Sequence, residues 1–463
     1  MIEKLLFRKI ELWIVIAILL LAMIGSILFG WVVRHTAAGG NKAGLVGEIA
    51  VAIASTPSTL KTIVTGKSDD GLPTDYKTNE IISLYDLSMY KSLFEKKING
   101  PKYFSKKGLS GLQPLTIQAR INESGDEIIA IFDEKRNLVK TIPIKVESMI
   151  SKIPPRIGVS PHHFFDDGSY LVWPYGGVGL FRLDPCGNII WQQDGLYHHH
   201  FSIADGKLYI LGLPSNDINK TDVKNWNHSD ILNIINIDTG NILRSISIEE
   251  IVRVNLPNID PLFFGRWRES VNDKGVLNPD FLHLNKIEVL PNSMRKQYPD
   301  LPAGALMVSA RHINLIFIID PEKLKIVWFT HGNTQQQHDP KFIGDNKIAV
   351  FNNSYNDNHS NTNDPSNYTS IKTYDFKTQK WQTLYNAKPI NGYTANSGNF
   401  DISENNSLAL NLTLQGRIVE LSPEGEPLFE FVSVCDDNSV FWQKEAQYIS
   451  QSAYDSLTST RCN

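Results

Sequence analysis

The stretch IDPEKLKIVWF, residues 319–329, reads as an apolar strand end, a polar turn begun by Asp320, and a second strand that carries apolar residues. The same pattern recurs along the chain. FDEKRNLVKTI begins at Phe132, LDPCGNIIWQQ at Leu183 and IDTGNILRSI at Ile237; YDFKTQKWQTL begins at Tyr374 and LSPEGEPLFEF at Leu421. Six hairpin-like units about 50 residues apart predict an all-β fold, a six-bladed β-propeller of four-stranded blades over residues 80–432. The one long interval, from Ile237 to Ile319, holds an insertion of helical and loop character, IEEIVRVNLPNIDPLFFGRWRESVNDKG. A solenoid is the competing geometry, but it asks for a shorter, stricter period and atypical end caps.

The bulk numbers allow such a core. The chain has 463 residues, 42% of them hydrophobic, with 31 Gly and 23 Pro to punctuate short elements. Its 45 Lys+Arg against 49 Asp+Glu leave a net charge of −4, no broad electrostatic footprint for nucleic acid. One segment departs from globular texture. LWIVIAILLLAMIGSILFGWVV, Leu12 to Val33, carries no charge and at ~1.5 Å per residue reaches across a ~30 Å hydrocarbon layer. The apolar run continues past the small residues near Ala22–Ser26, so an uncleaved anchor is expected over residues 1–35, rather than a signal peptide. Lys4, Arg8 and Lys9 precede the span, and Arg34 and Lys42 follow it. The positive-inside tendency therefore puts the N-terminus in the cytoplasm and the rest on the extracytoplasmic, periplasmic side. Residues 36–79 read as a juxtamembrane helical segment or linker, and 433–463 as a C-terminal tail. Of three cysteines, Cys435 and Cys462 share that tail and are either bridged or two free thiols; Cys186, in the turn DPCGN, reads as incidental.

Histidines recur before the turns. PHHFFDDGSYLVW, HHHFSIADGKLYIL, HLNKIEVLPNSM and QHDPKFIGDNKIAVF each place one shortly before a turn and a hydrophobic strand. Counted back from Asp167, Asp205, Asn292 and Asp345, His162, His198, His200, His283, Asn285 and His338 all fall at odd offsets. If no bulge intervenes, strand alternation sends them to one kind of face, while His163 and His199 have the opposite parity and His199 reads as structural. Equivalent strand positions in successive repeats converge, so residues distant in sequence would line one pocket. A structural, hydrogen-bonded role is the ordinary fate of any one such histidine; four units sharing the feature, with Arg311 and His312 beside them, favour a site. An arginine, neutral imidazoles and an Asn amide together suit a tetrahedral oxyanion.

DFLHLNKIEVLP (280–291), LMVSARHINLIFIIDPEKLKIVW (306–328) and QHDPKFIGDNKIAVFNN (337–353), in this order, resemble the bacterial arylsulfotransferase (aryl-sulfate sulfotransferase) family, loosely over 150–432. That resemblance implies a six-bladed propeller outside the cytoplasm. It also implies transfer of a sulfuryl group from a phenolic sulfate ester to a phenol through a sulfohistidine, without a nucleotide donor, cofactor or metal. Carried over, His338 of the QH motif is the nucleophile, while His283, Arg311 and His198 stand with it as catalytic groups. Asn285, His200 and Ser397 of TANSGNF are substrate-binding candidates. The small-molecule partners implied are an aryl sulfate and a phenol, whose ring would meet aromatic residues such as Trp173, Tyr175 and Phe264. The chain departs from the family pattern in its apolar span, in the short interval from Arg311 to His338, and in QHDP, where Asp339 could tune or divert His338. Two other readings use the same residues. A membrane-anchored propeller can be a non-catalytic ligand- or protein-binding module, and imidazoles from several repeats can hold zinc or copper.

Overall fold

The computed structural model describes residues 12–37, 45–46, 49–50, 53, 81–83, 100–120, 127–144, 163–173, 178–214, 231–256, 282–354, 368–436, 439–443 and 445–462. The chain divides into two units, residues 1–74 with 260–281, and residues 75–259 with 282–463. In the first, Leu12–Ala37 is a single helix with apolar side chains exposed along it, long and apolar enough to cross a membrane. The helices expected between 36 and 79 fall almost wholly outside the described residues.

The second unit contains the repeats. Each expected turn closes an antiparallel hairpin, and one device recurs. Asp184 Oδ1 accepts from the backbone N–H of Cys186 and Asn188, both at 2.8 Å. Asp133, Asn236, Asp320, Asp375 and Ser422 each accept from two backbone N–H groups of their own turns in the same way. A short polar side chain that bonds the backbone two residues on substitutes for a backbone turn bond. The recurrence in the sequence is thus a recurrence of hairpins.

The larger architecture corrects the expectation. The strands do not form six separate four-stranded blades in an all-β propeller. Among the described residues they gather into open sheets of seven, eleven, four and four strands, none closed on itself, and with the helices the chain is a mixed α/β structure. The reason is visible in Ile189–Ala204. This 16-residue strand runs on through Gly195, pairs with Val178–Leu183 through its first half and Lys207–Pro214 through its second, and so fuses two hairpin units. A parallel bridge from His200 to Lys286 adds the strands that begin with Leu284–Val289. In the insertion, Ile248–Asn255 is a helix capped by Ser247, whose side chain accepts from Glu250 N.

The two ends of the unit meet. Glu445–Tyr448 pairs with Leu115–Arg120, so residues from the C-terminus complete the sheet of the first hairpin. The following helix, Gln451–Ser459, sets Ala453 and Leu457 into a core with Ile129, Ile131, Phe164 and Val172. Ser450 and Ser452 bond Asp166 Oδ1, and Lys140 Nζ donates to Leu457 O at the helix end. The disulfide joins Cys186 to Cys462 across 276 residues, not Cys435 to Cys462. The turn that holds Cys186 thereby fastens the C-terminal helix.

Candidate active site

His338 opens the strand His338–Gly344, and the turn before it is fixed from all sides. Gln337 is fully buried; its Nε2 donates to Ser309 Oγ (3.1 Å), Ala310 O (3.3 Å) and Leu315 O (3.2 Å), while its Oε1 accepts from Thr334 Oγ1 at 3.0 Å. Its carbonyl accepts from Asn285 Nδ2 at 2.8 Å. The backbone N–H groups of Gln335 and Gln336 donate to Asn352 Oδ1 and Asn314 Oδ1, both at 2.7 Å.

The ring of His338 is equally determined. Its Nδ1 lies 3.0 Å from Gln336 O and 2.7 Å from Asn353 Oδ1. Asn353 spends its Nδ2 on two carbonyls, Thr394 O at 2.9 Å and Ser397 O at 2.7 Å. Carbonyls only accept, so the amide has one orientation and presents its oxygen to the imidazole. With acceptors on both sides, Nδ1 carries the ring proton and Nε2 carries the lone pair. Nε2 makes no hydrogen bond among the described residues. Burial, and next the Arg311 guanidinium, hold His338 well below the ordinary imidazole range, with His200 and His283 adding to the depression; the Asn353 bond opposes it. The ring is therefore neutral at pH 7.

Arg311 is buried and shares the same turn, donating from Nη2 to Gln336 Oε1, while its backbone N–H donates to His283 O at 3.2 Å. From there imidazoles run in a row. His283 stacks on His312 with ring centroids 4.2 Å apart and meets His199 edge-on at 4.9 Å. His199 in turn faces His198, Nδ1 to Nδ1 at 2.7 Å, a contact in which one ring donates and the other accepts. Several non-glycine residues here have left-handed backbone: His199 (φ 59), His283 (φ 45), Gln336 (φ 49), Asp339 (φ 45) and Ser397 (φ 55). Such conformations are costly and persist where surroundings impose them, commonly at functional sites.

The sequence-predicted residues divide accordingly. His338, Arg311 and His283 are contiguous, and His198 joins them through His199. His199 belongs to the row despite its parity, because the left-handed residue breaks the alternation on which the face assignment depended. Asn285 and Ser397 act on the framework, the first through the Gln337 carbonyl and the second through its own carbonyl to Asn353. His200 lines a cavity instead, with Nδ1 3.4 Å from Glu445 Oε2. Asp339 also faces that cavity, where it pairs with Lys286 at 2.5 Å and accepts from Phe400 N at 3.0 Å. Trp173 is fully buried with its ring 4.9 Å from Phe201, a packing role; Tyr175, Phe264 and His162 lie outside the described residues. Among the described residues no group of three or more His, Cys, Asp or Glu side chains is arranged to hold a metal ion. Sequence reasoning missed Asn353 and Gln336. The signal was the position of Asn353 at the end of the strand that returns beside His338, where a side chain can reach a ring.

Comparison with known proteins matches these observations at the level of family. No curated protein is significantly similar to the chain. Among solved structures it is similar to the crystal structure of a protein of unknown function from Bacteroides caccae, at 12% identity over 72% of this chain and 93% of that one, with a TM-score of 0.40. The profile of the family described as Arylsulfotransferase (ASST) matches residues 163–433, which hold the His338 cradle, Arg311 and the imidazole row. More than half of the chain lies within that match, and the protein belongs to the arylsulfotransferase family.

Proposed function

We propose that the chain moves a sulfuryl group from a phenolic sulfate ester to a phenol, with Nε2 of His338 as the group that carries it between them. The observation that carries this reading is the bonding of Nδ1 to Gln336 O and to the oriented Asn353 amide, which leaves a neutral ring with its lone pair on Nε2. A neutral imidazole needs no deprotonation to act as a nucleophile. Attack forms the Nε2–S bond as the S–O bond to the aryl ring breaks, and the phenolate departs with the bonding pair. The ring becomes cationic, and the two oxygens on Nδ1–H stabilise it. In the return step the acceptor phenol gives up its proton to water, forms the new O–S bond as the Nε2–S bond breaks, and releases His338 in its starting form. Negative charge spreads over three sulfuryl oxygens in each transition state. Arg311 is the fixed positive group beside them, with His283 and the His198–His199 pair as further donors.

The same reading places the enzyme outside the cytoplasm, tethered by Leu12–Ala37. The Cys186–Cys462 disulfide supports it, since such bonds form and persist in oxidising compartments. The test is sulfuryl transfer from a panel of aryl sulfates to phenol acceptors by the full chain in detergent. Arg311→Ala should lower the rate by ~10²–10³, the usual loss for one oxyanion donor, and His338→Ala should abolish it without unfolding the chain. Absence of transfer across the panel, or ordinary turnover by the His338 variant, refutes the assignment.

A further inference from the structure

A cavity of about 180 Å³ lies against the strands that supply His338 and the imidazole row, and it holds groups that the transfer step above does not use. His200 and Asp339 line it, each next in sequence to a residue of the candidate active site, His199 and His338. Its charged groups come from several strands. Lys286 and Glu288 stand on Leu284–Val289, Asp339 and Lys341 on His338–Gly344, and Asp401 on Asn399–Ile402. His163 and Gln447 complete the wall, with Gln447 Nε2 3.1 Å from His163 Nδ1.

The carboxyl groups in this cavity are treated unequally. Asp339 has Lys286 at 2.5 Å, Lys341 at 3.8 Å and the N–H of Phe400; Asp401 has Lys341 at 3.1 Å and the N–H of Tyr448. Glu288 has Lys286 at 3.3 Å. Among the described residues no lysine lies within ion-pair distance of Glu445. Its Oε1 accepts one hydrogen bond from Asn399 Nδ2, and its buried Oε2 accepts none, facing only His200 Nδ1 at 3.4 Å. A buried carboxylate with one amide bond is expensive, whereas a carboxylic acid beside an imidazole nitrogen is not. Burial and the Asp339 charge accordingly push Glu445 well above the usual carboxylate range, while burial keeps His200 neutral, at about 4. Two carboxyl groups held in opposite protonation states within one site mark out the acid.

We propose that Glu445 and His200 form a proton-transfer pair that supplies a proton to the departing phenolate and takes one back from the incoming phenol, through water in the cavity. The proposal rests on the sulfuryl-transfer reading. In the first half-reaction the Glu445 O–H proton passes to His200 Nδ1, the Nε2–H proton passes to cavity water, and a water proton reaches the phenolate oxygen. The acceptor phenol returns its proton by the reverse route, so the cycle leaves the pair as it began. A cavity of this size admits several water molecules, each requiring ~10–15 Å³ of such space. Glu445 lies beyond the residues that match the family, on the C-terminal strand that completes the first hairpin's sheet.

The experiment compares two donors with the full chain and with Glu445→Gln, which preserves shape and the Asn399 contact region. Phenyl sulfate releases a weakly acidic phenol and needs a proton; 4-nitrophenyl sulfate releases a stabilised phenolate and does not. In a single turnover without acceptor, Glu445→Gln should slow phenol release from phenyl sulfate by ~10²-fold or more, the general-acid range, and leave release from the nitrophenyl donor within a few-fold of the unaltered chain. His200→Asn should give the same pattern. Equal losses on both donors, or none on either, overturn the proposal while leaving sulfuryl transfer intact. An unaltered chain that transfers from neither donor refutes the transfer reading itself. The proton is checked independently by infrared difference spectroscopy at pH 7: a carboxylic-acid carbonyl band that disappears in Glu445→Gln is expected, and its absence from the unaltered chain overturns the pair.

Discussion

Replacing Asn353 tests whether the His338 tautomer is set by the framework. Asn353→Ala deletes the shorter of the two bonds to Nδ1, 2.7 Å against 3.0 Å, and leaves the Gln336 carbonyl alone to hold the ring. In the proposed transfer the ring turns cationic as the Nε2–S bond forms, so the lost bond is one to a charged group. Such bonds contribute ~1.5–3 kcal/mol, and at ~1.36 kcal/mol per decade the rate should fall ~10- to ~10²-fold. Asn353 touches the ring at the nitrogen remote from the lone pair, so the loss should appear in kcat with KM little changed. The variant also strands the Thr394 and Ser397 carbonyls, a stability loss of ~1–3 kcal/mol visible as a lower melting temperature. Asn353→Asp gives the complementary result. A carboxylate against Nδ1–H favours the imidazolium and raises the His338 pKa. The proposed attack requires the neutral ring and is lost as pH falls through that pKa, so the acid limb of the rate profile should move to higher pH. An unchanged kcat in the alanine variant, together with an unmoved acid limb in the aspartate variant, would refute the tautomer argument.

Two further outcomes concern stability. The Cys186–Cys462 bond closes a 276-residue loop and fastens the C-terminal helix, so reduction or Cys186→Ser should lower stability by ~2–4 kcal/mol. Thermal melts with and without reductant measure this, and superimposable melts would show that the latch contributes nothing. The pH dependence has a definite sign. His163 stays neutral in the fold to about 4 through burial, whereas the unfolded imidazole titrates near 6.5. Between those values the unfolded chain binds the extra proton, so stability falls as pH drops from about 6.5 to about 4, and His200 acts in the same direction. Glu445 opposes them, because it stays protonated in the fold while its unfolded form ionises above 4.5. Melting temperatures across this window should show a shallower acid decline in His163→Gln; an identical slope would contradict the assignment.

Local structure was legible in the sequence wherever a side chain made its own turn. Asp133, Asp184, Asp320, Asp375 and Ser422 announce hairpins because each bonds the backbone next to it, with no help from distant residues. The assembly of hairpins into sheets was not legible. It depends on pairings such as His200 with Lys286 and Glu445 with Gln118, and on the unbroken course of Ile189–Ala204, none of which a repeat of turns encodes. Proximity in sequence also misled the cysteines: Cys435 is nearer to Cys462 along the chain, but packing of the Gln451–Ser459 helix brings Cys462 to the turn at Cys186. At the site, residue types and order pointed to His338, Arg311 and His283. Which ring nitrogen is free was beyond reach, because it depends on Asn353, and the orientation of Asn353 depends in turn on carbonyls at 394 and 397. Face assignment by alternation failed at one residue, His199, whose left-handed backbone turns it into the row with His198 and leaves His200 to the cavity.

A covalent sulfuryl group on His338 is measured directly by mass analysis of the chain after mixing with an aryl sulfate in the absence of acceptor. One added SO₃ is expected on the peptide that contains His338, labile to acid, discharged when a phenol is supplied, and absent from His338→Ala. Transfer that proceeds with no such adduct, or an adduct on a peptide that lacks His338, would contradict the His338 assignment.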